Sequence, residues 1–151
     1  MKTKKARTKA STPKQITDNS CPHCTTEMKE TTGELSFPIN GEEITVKDSP
    51  HLRCHKCDEV VLRLDESRRL REGALELYRQ QYGLLAGEEI RRLRERLGLT
   101  QGQLAELLRL GVNTISRWEA GRNVQTAAMD VLLRLVRDVP GSVEYLRNLA
   151  A

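Results

Sequence analysis

Aromatic side chains are scarce in this chain: one Trp, one Phe and three Tyr stand among 151 residues, while 30% of the residues are charged. That balance argues against one large core and for small modules supported by a metal, a disulfide or a second copy. Long apolar runs are missing too. The positive start MKTKKARTKASTPKQ is not followed by the apolar stretch of a secretory signal, and no segment is apolar enough to span a bilayer. The chain is therefore expected in the cytoplasm, with no membrane partner. Disulfides are rare in that reducing compartment, so paired cysteines point first to metal. No internal repeat is found, and nothing pairs a nucleophile with a base, which makes an enzyme the least favoured class.

What charge there is falls unevenly. The formal net charge is +4. Residues 1–20 carry six basic side chains against one acidic, residues 21–60 four against eight, and residues 61–151 fifteen against twelve. A basic end and an acidic middle suit different partners, although an ordinary solvated surface explains the middle equally well. The first twenty residues are rich in Lys, Thr and Ser with almost nothing to bury, and read as a disordered basic tail, solubilising rather than phosphate-binding.

All four cysteines fall into two C-x-x-C clips, CPHC (Cys21, Cys24) and CHKC (Cys54, Cys57). Such a clip lets two thiolates reach one ion from a single tight turn, and two clips complete the tetrahedron that Zn(2+) prefers. The 29 residues between Cys24 and Cys54 exceed the commonest zinc-ribbon interval. ELSFPINGEEITVK fills it with a hairpin: Leu35, Phe37 and Ile39 alternate with polar residues, Ile44 and Val46 do so on the return, and Asn40-Gly41 supplies the positive φ angles of a tight turn. EVVLRL (59–64) is a third candidate strand. The reading is one structural zinc ion per chain on Cys21, Cys24, Cys54 and Cys57. A redox clip usually occurs once, at a helix start, and a catalytic zinc needs an open position that four thiolates do not leave. His23 and His55 inside the clips are bystanders.

Beyond the clips the pattern turns helical. DESRRLREGALELYRQQYG predicts a helix capped by Asp65, with Leu70, Ala74, Leu77 and Tyr78 on one face and Gly83 at its end. The pattern breaks at 82–87. Further helices are predicted at 88–97, 101–108 (capped by Thr100), 112–120, 126–138 and 142–149. The second and third of these form a helix-turn-helix candidate, LTQGQLAELLRLGVNTISRWEAGR. Ala105 sits where two helices cross closely, and Leu104, Leu108, Ile115 and Trp118 face inward. Gln101 can donate to a phosphate at a helix N-terminus. Asn113, Thr114, Ser116 and Arg117 are the candidate DNA-binding residues, since Asn pairs with adenine and Arg with guanine in the major groove. A solvated helix face in an ordinary bundle is the bland alternative.

These residues resemble the helix-turn-helix domain of the Xre/Cro repressors over roughly 88–139. The family usually has glycine at the turn where this chain has Arg109, with Gly111 two residues later. The whole layout, from CPHC through the hairpin, CHKC, one helix and LTQ…GVNTISRWEAG, resembles the MqsA (YgiT-type) antitoxins over about 21–149. Nothing in that pattern matches residues 1–20.

The fold expected is α+β. It has a small N-terminal zinc-ribbon-like β module plus one helix (21–81), a linker (82–87), and an all-α five-helix Xre/Cro-type domain for DNA binding and dimerisation (88–151). The resemblance implies a two-job antitoxin of a type II toxin–antitoxin system. Its zinc half would neutralise a cognate toxin, typically an mRNA-cleaving endoribonuclease. Its helical half would bind a palindromic operator in double-stranded DNA as a homodimer and repress transcription. Asn113 and Arg117 would be its base readers. A stand-alone transcriptional regulator without a toxin, and a zinc module that contacts RNA or protein beside a dimerising helical domain, are the other two classes left open.

Overall fold

The computed structural model describes residues 19–150. The predicted basic tail therefore lies outside the described residues except for Asn19 and Ser20. A three-stranded antiparallel sheet, ordered β1-β2-β3, is built from Lys29–Ile39, Glu42–Arg53 and Val60–Val61. Six helices follow: α1 (Leu64–Tyr82), α2 (Gly87–Arg96), α3 (Gln101–Leu107), α4 (Thr114–Glu119), α5 (Ala127–Asp138) and α6 (Ser142–Ala150).

The hairpin turns where its chemistry says it should. Asn40 and Gly41 take φ of 49° and 87°, and Ile39 pairs with Glu42 across them. A two-residue turn of this hand matches the right-handed twist of the strands, and Asn and Gly tolerate it best. Further along, the register shifts between Gly33 and Leu35, and Asp48 on the opposite strand adopts φ of 52°. This bulge changes which residues of β2 point inward: Ile44 and Val46 before it, Ser49 and His51 after it.

The expected division into a zinc-ribbon-like β module plus one helix, followed by an all-α five-helix domain, does not hold. The sheet occupies 29–61, so it begins after the first cysteine clip, and six helices complete the α+β fold. Strand length gives the physical reason. Eleven extended residues span roughly 36 Å, far more than one ion could organise. Only the near end of the hairpin meets the cysteines, where Met28 and Leu52 pack with Cys21 and Cys54. The far end uses another core: Ile39 and Ile44 pack with Ala74, Leu75 and Tyr78 of α1, with Leu84, and with Val124 before α5. Tyr82 adds a hydrogen bond from its hydroxyl to Glu42 at 2.6 Å, tying the hairpin tip to the end of α1.

Two local expectations also shift. The N-cap of α1 is Arg63 rather than Asp65, because the Glu66 carboxylate reaches back to accept the Arg63 N–H at 2.7 Å. That earlier start takes Leu64 out of the predicted third strand, which keeps only Val60 and Val61. On α1 Leu77 is exposed, and Leu75 takes its place in the core. Gly83 ends the helix in a left-handed conformation, as expected.

The remaining helices surround a third core of Leu85, Ile90, Leu93, Leu104, Ala105, Leu108, Ile115, Trp118, Leu133 and Val136. Thr100 and Thr126 cap α3 and α5 by accepting from the N–H groups of Gln103 and Met129. Consecutive residues Leu84 and Leu85 thus enter different cores. Their backbone is fixed by Asp130, whose Oδ1 accepts from the Leu85 N–H at 2.7 Å and from Gln125 at 2.9 Å. Arg134 donates to Asp130 Oδ2 at 2.6 Å and to the Gly83 carbonyl at 2.7 Å, and Gln125 donates to the Leu85 carbonyl at 2.8 Å.

Gly87 opens α2 against the end of α4. A Cβ there would lie 2.5 Å from the Trp118 carbonyl oxygen and 2.7 Å from that of Glu119. Both are backbone atoms that cannot swing aside. Gly87→Ala is expected to cost about 1–3 kcal/mol of stability through this overlap, measured by urea unfolding; an unchanged midpoint would contradict the close approach.

Candidate metal centre and nucleic-acid interface

The two cysteine clips fold into near-identical knuckles. In the first, the Cys21 N–H donates to the Thr26 carbonyl at 2.8 Å and the Thr25 N–H to the Cys21 carbonyl at 2.9 Å. In the second, the Cys54 N–H donates to the Glu59 carbonyl at 2.9 Å and the Asp58 N–H to the Cys54 carbonyl at 3.0 Å. The residue after each second cysteine, Thr25 or Asp58, takes a positive φ of 57° or 58°. An isolated bridge between Ser20 and Glu27 closes the first knuckle, and β2 and β3 carry the second. The hairpin strands bring the two knuckles face to face.

All four Sγ atoms lie within 4.8 Å of one another. Cys21 and Cys57 approach to 3.5 Å, Cys24 and Cys54 to 3.4 Å, and Cys24 and Cys57 to 3.7 Å. A tetrahedron of thiolates at ~2.3 Å from zinc has S···S edges of roughly 3.8 Å, so the donor set fits such an ion in number, type and spacing. Its titration fits as well. The Thr26 hydroxyl and backbone N–H hold the Cys24 thiol down to about 6. The Glu59 backbone N–H opposes a rise at Cys57, yet its crowding by Cys21, Cys54 and Cys24, with desolvation, pushes it up to about 12. Four thiols this close cannot all ionise without a cation to neutralise them. His23 and His55 are exposed, and His23 lies 3.7 Å from Glu59 rather than among the sulfurs.

The helix-turn-helix candidate is held together by Leu104, Ala105, Ile115 and Trp118, all buried. Arg109 closes α3. It takes φ of 54°, its N–H donates to the Glu106 carbonyl, and the next N–H, of Leu110, donates to the Ala105 carbonyl. This is the helix ending in which glycine normally fills the left-handed position. Arg109 adopts the same geometry and donates to the Leu149 carbonyl at 2.6 Å, a contact glycine could not make. Gly111 is not in a left-handed conformation, so it does not replace the missing glycine.

On α4, Asn113 and Arg117 are exposed, while Thr114 and Ser116 are half-buried. Asn113 occupies the N-cap position without making a side-chain cap bond. Arg117 meets no carboxylate among the described residues. Ser116 donates its hydroxyl to the Asn113 carbonyl at 3.0 Å, inside its own helix. Gln101 turns inward and donates to Glu119 at 2.8 Å.

Sequence reasoning missed that Glu119 is the centre of a buried charge cluster. Arg94 grips both of its oxygens, at 2.6 and 3.1 Å, and Arg91 stands 3.7 Å away. Burial pushes the carboxyls of Glu119 and Asp130 up. The Arg94 and Gln101 hydrogen bonds to the first, and those of Arg134, Leu85 and Gln125 to the second, outweigh it and hold both below their ordinary values. An i,i+4 pattern could have found the Asp130–Arg134 pair, whereas Arg94 and Glu119 are too far apart in the sequence to signal each other.

Two cysteine knuckles are thus joined by a hairpin and one long helix to a helix-turn-helix body. A family model described as "Antitoxin component of bacterial toxin-antitoxin system, MqsA" matches residues 19–147, and the chain belongs to that family. It is 27% identical over 130 residues to Antitoxin MqsA of Escherichia coli (strain K12), covering 84% of this chain and 98% of that protein. It is also 31% identical over 65 residues to Antitoxin HigA-2 of Vibrio cholerae serotype O1 (strain ATCC 39315 / El Tor Inaba N16961), covering 43% of this chain and 62% of the relative. Among the described residues no helix is long and apolar enough to cross a membrane.

Acid sensitivity follows from the two held-down carboxylates. Both folded-state values lie below the ordinary 4.5 and 3.8. Their contribution is therefore present at neutral pH and is lost as pH falls through that range and below. Urea unfolding repeated from pH 7 to pH 3 should show stability falling at the acid end, with a shallower fall in Glu119→Gln. Parallel profiles for the two proteins would reject Glu119 as a source of the dependence.

Proposed function

We propose that this antitoxin works through two linked parts. The four thiols, ionised, hold one structural Zn(2+) that secures the near end of the hairpin, and residues 21–81 present the surface that neutralises a cognate toxin. The toxin is proposed to be an endoribonuclease, a reading supported by family membership and by the acidic balance of residues 21–60, which suits a basic partner. Residues 88–151 bind operator DNA and repress transcription, with the segment 82–87 as the joint. The protein acts in the cytoplasm.

One observation carries the DNA reading. Asn113 sits where an Asn would normally cap its helix, yet its side chain makes no such bond, and Arg117, one turn later, has no carboxylate partner among the described residues. Two exposed, uncommitted hydrogen-bonding groups one turn apart suit adenine and guanine edges in the major groove. Ile115 and Trp118 fix the opposite face in the core. Thr114 and Ser116 border the same surface. The Gln101 amide carries a second hydrogen for a phosphate oxygen beside its bond to Glu119.

A six-residue reader covers few base pairs, so a two-fold copy is needed to span a palindrome. Leu135 of α5, Val139 just after it and Tyr145 of α6 are exposed and line a groove of about 510 Å³, and Leu149 is exposed further along α6. We place the homodimer contact there.

Arg117→Ala is expected to weaken binding to the operator by roughly 1–3 kcal/mol and to relax preference at one base pair; a binding profile identical to wild type would reject α4 as the reader. Elemental analysis should return one zinc per chain. Removing that zinc with a chelator should speed amide exchange at 19–28 and 52–61 while Ile39 and Ile44, packed on α1, stay protected. Uniform loss of protection along the hairpin would show that the ion supports more of the fold than its near end.

A further inference from the structure

Val112 stands 72% exposed immediately before α4 and belongs to none of the three apolar cores. It is the second residue of a tight turn, Gly111–Thr114, closed by the Thr114 N–H donating to the Gly111 carbonyl at 2.9 Å. That turn runs straight into α4, and Asn113 follows Val112 within it. Valine is β-branched and stiff at χ1, so it keeps its shape without help from neighbours. A side chain this exposed adds little to the fold. Beside Asn113, it offers an apolar surface to a partner outside the chain.

Gly111 points the same way. It is exposed, and its φ is not left-handed. A Cβ built on it would meet the Thr114 hydroxyl oxygen at 3.5 Å, an ordinary contact. Neither the backbone conformation nor packing inside the protein therefore requires glycine here. A bare backbone on the outside of a turn instead permits close approach of a ligand. Ser116, one turn after Val112, spends its hydroxyl proton on the Asn113 carbonyl at 3.0 Å. The surface around Val112 is thus less polar than its sequence suggests.

We infer that Val112 reads the C5-methyl group of a thymine, in the base pair beside the one met by Asn113. The inference rests on α4 being the DNA reader. Chemistry leaves a single target. The other base-edge groups that distinguish base pairs in the major groove are hydrogen-bond donors and acceptors, and the thymine methyl is the apolar one. An isopropyl group can bury that methyl. Against a cytosine it would cover an amino group and give it no acceptor, a desolvation cost without return. Val112 thereby adds a third discriminating contact, of a kind that Asn113 and Arg117 cannot make.

The test uses the full-length zinc-loaded protein and fluorescence anisotropy with duplexes from its own upstream region. Thymines are replaced in turn by deoxyuridine, which removes the methyl group and keeps every hydrogen-bonding group. For the wild type, replacement at one position should weaken binding about fourfold per half-site, the effect of burying one methyl group. Val112→Ala should bind the unmodified duplex less tightly by a similar factor and lose discrimination at that position alone. Its urea midpoint should match wild type, because the side chain lies outside every core. Identical responses of wild type and Val112→Ala to deoxyuridine at every position overturn the methyl contact. Operator binding that still falls in Arg117→Ala then leaves α4 as the reader. Equal weakening of a shuffled duplex by Val112→Ala also overturns the contact, since a methyl reader acts through sequence. A wild-type protein indifferent to the unmodified duplex overturns the reader helix and Val112 together.

Discussion

Asp130 is one carboxylate that accepts three hydrogen bonds, and its donors come from three places in the chain: the backbone at Leu85, the side chain of Gln125, and Arg134 one turn further along α5. Arg134 and Gln125 also reach the carbonyls of Gly83 and Leu85. A buried carboxylate is tolerable only when its oxygens are satisfied. Here the groups that satisfy it include the strand of chain that links α1 to α2. The passage between the sheet-bearing part and the helical part is thus built as an ordered polar core, with apolar side chains leaving it in opposite directions.

The shortage of aromatic residues explains why the molecule is arranged this way. Three small apolar clusters replace one large core, and none of them has more than two aromatic rings. Each cluster is completed by something other than bulk. The cysteine knuckles complete the first, the α1 face and Val124 complete the second, and the buried Glu119–Arg94 pair closes the edge of the third. Family membership places all of this in an antitoxin, and the division of labour proposed for it follows the same partition of the chain.

The features legible in the sequence are those whose cause is local. The cysteine clips, the Asn40-Gly41 turn, the Thr100 cap and the inward set Leu104, Ala105, Ile115 and Trp118 each depend on residues a few positions apart. The features missed depend on contacts between distant segments. Nothing near Ile39 and Ile44 announces that they will meet Val124. The α+β expectation therefore misplaced the sheet as a ribbon around the cysteines rather than a long hairpin shared with α1. Glu119 and Arg94 are likewise 25 residues apart. Arg109 shows a third kind of limit: a left-handed turn residue was hidden because the side chain that stands there is not the one backbone sterics would choose, and its compensating bond goes to Leu149.

Leu84 and Leu85 add a constraint on how this chain could vary. Adjacent side chains are committed to separate interiors, and Leu85 is held at both its N–H, by Asp130, and its carbonyl, by Gln125. Inserting or deleting a single residue at this point would present each leucine to the wrong interior and slide the Leu85 N–H off its acceptor. Surface connections usually tolerate changes of length; this one is length-locked, and the changes its packing can accept are substitutions that preserve the count.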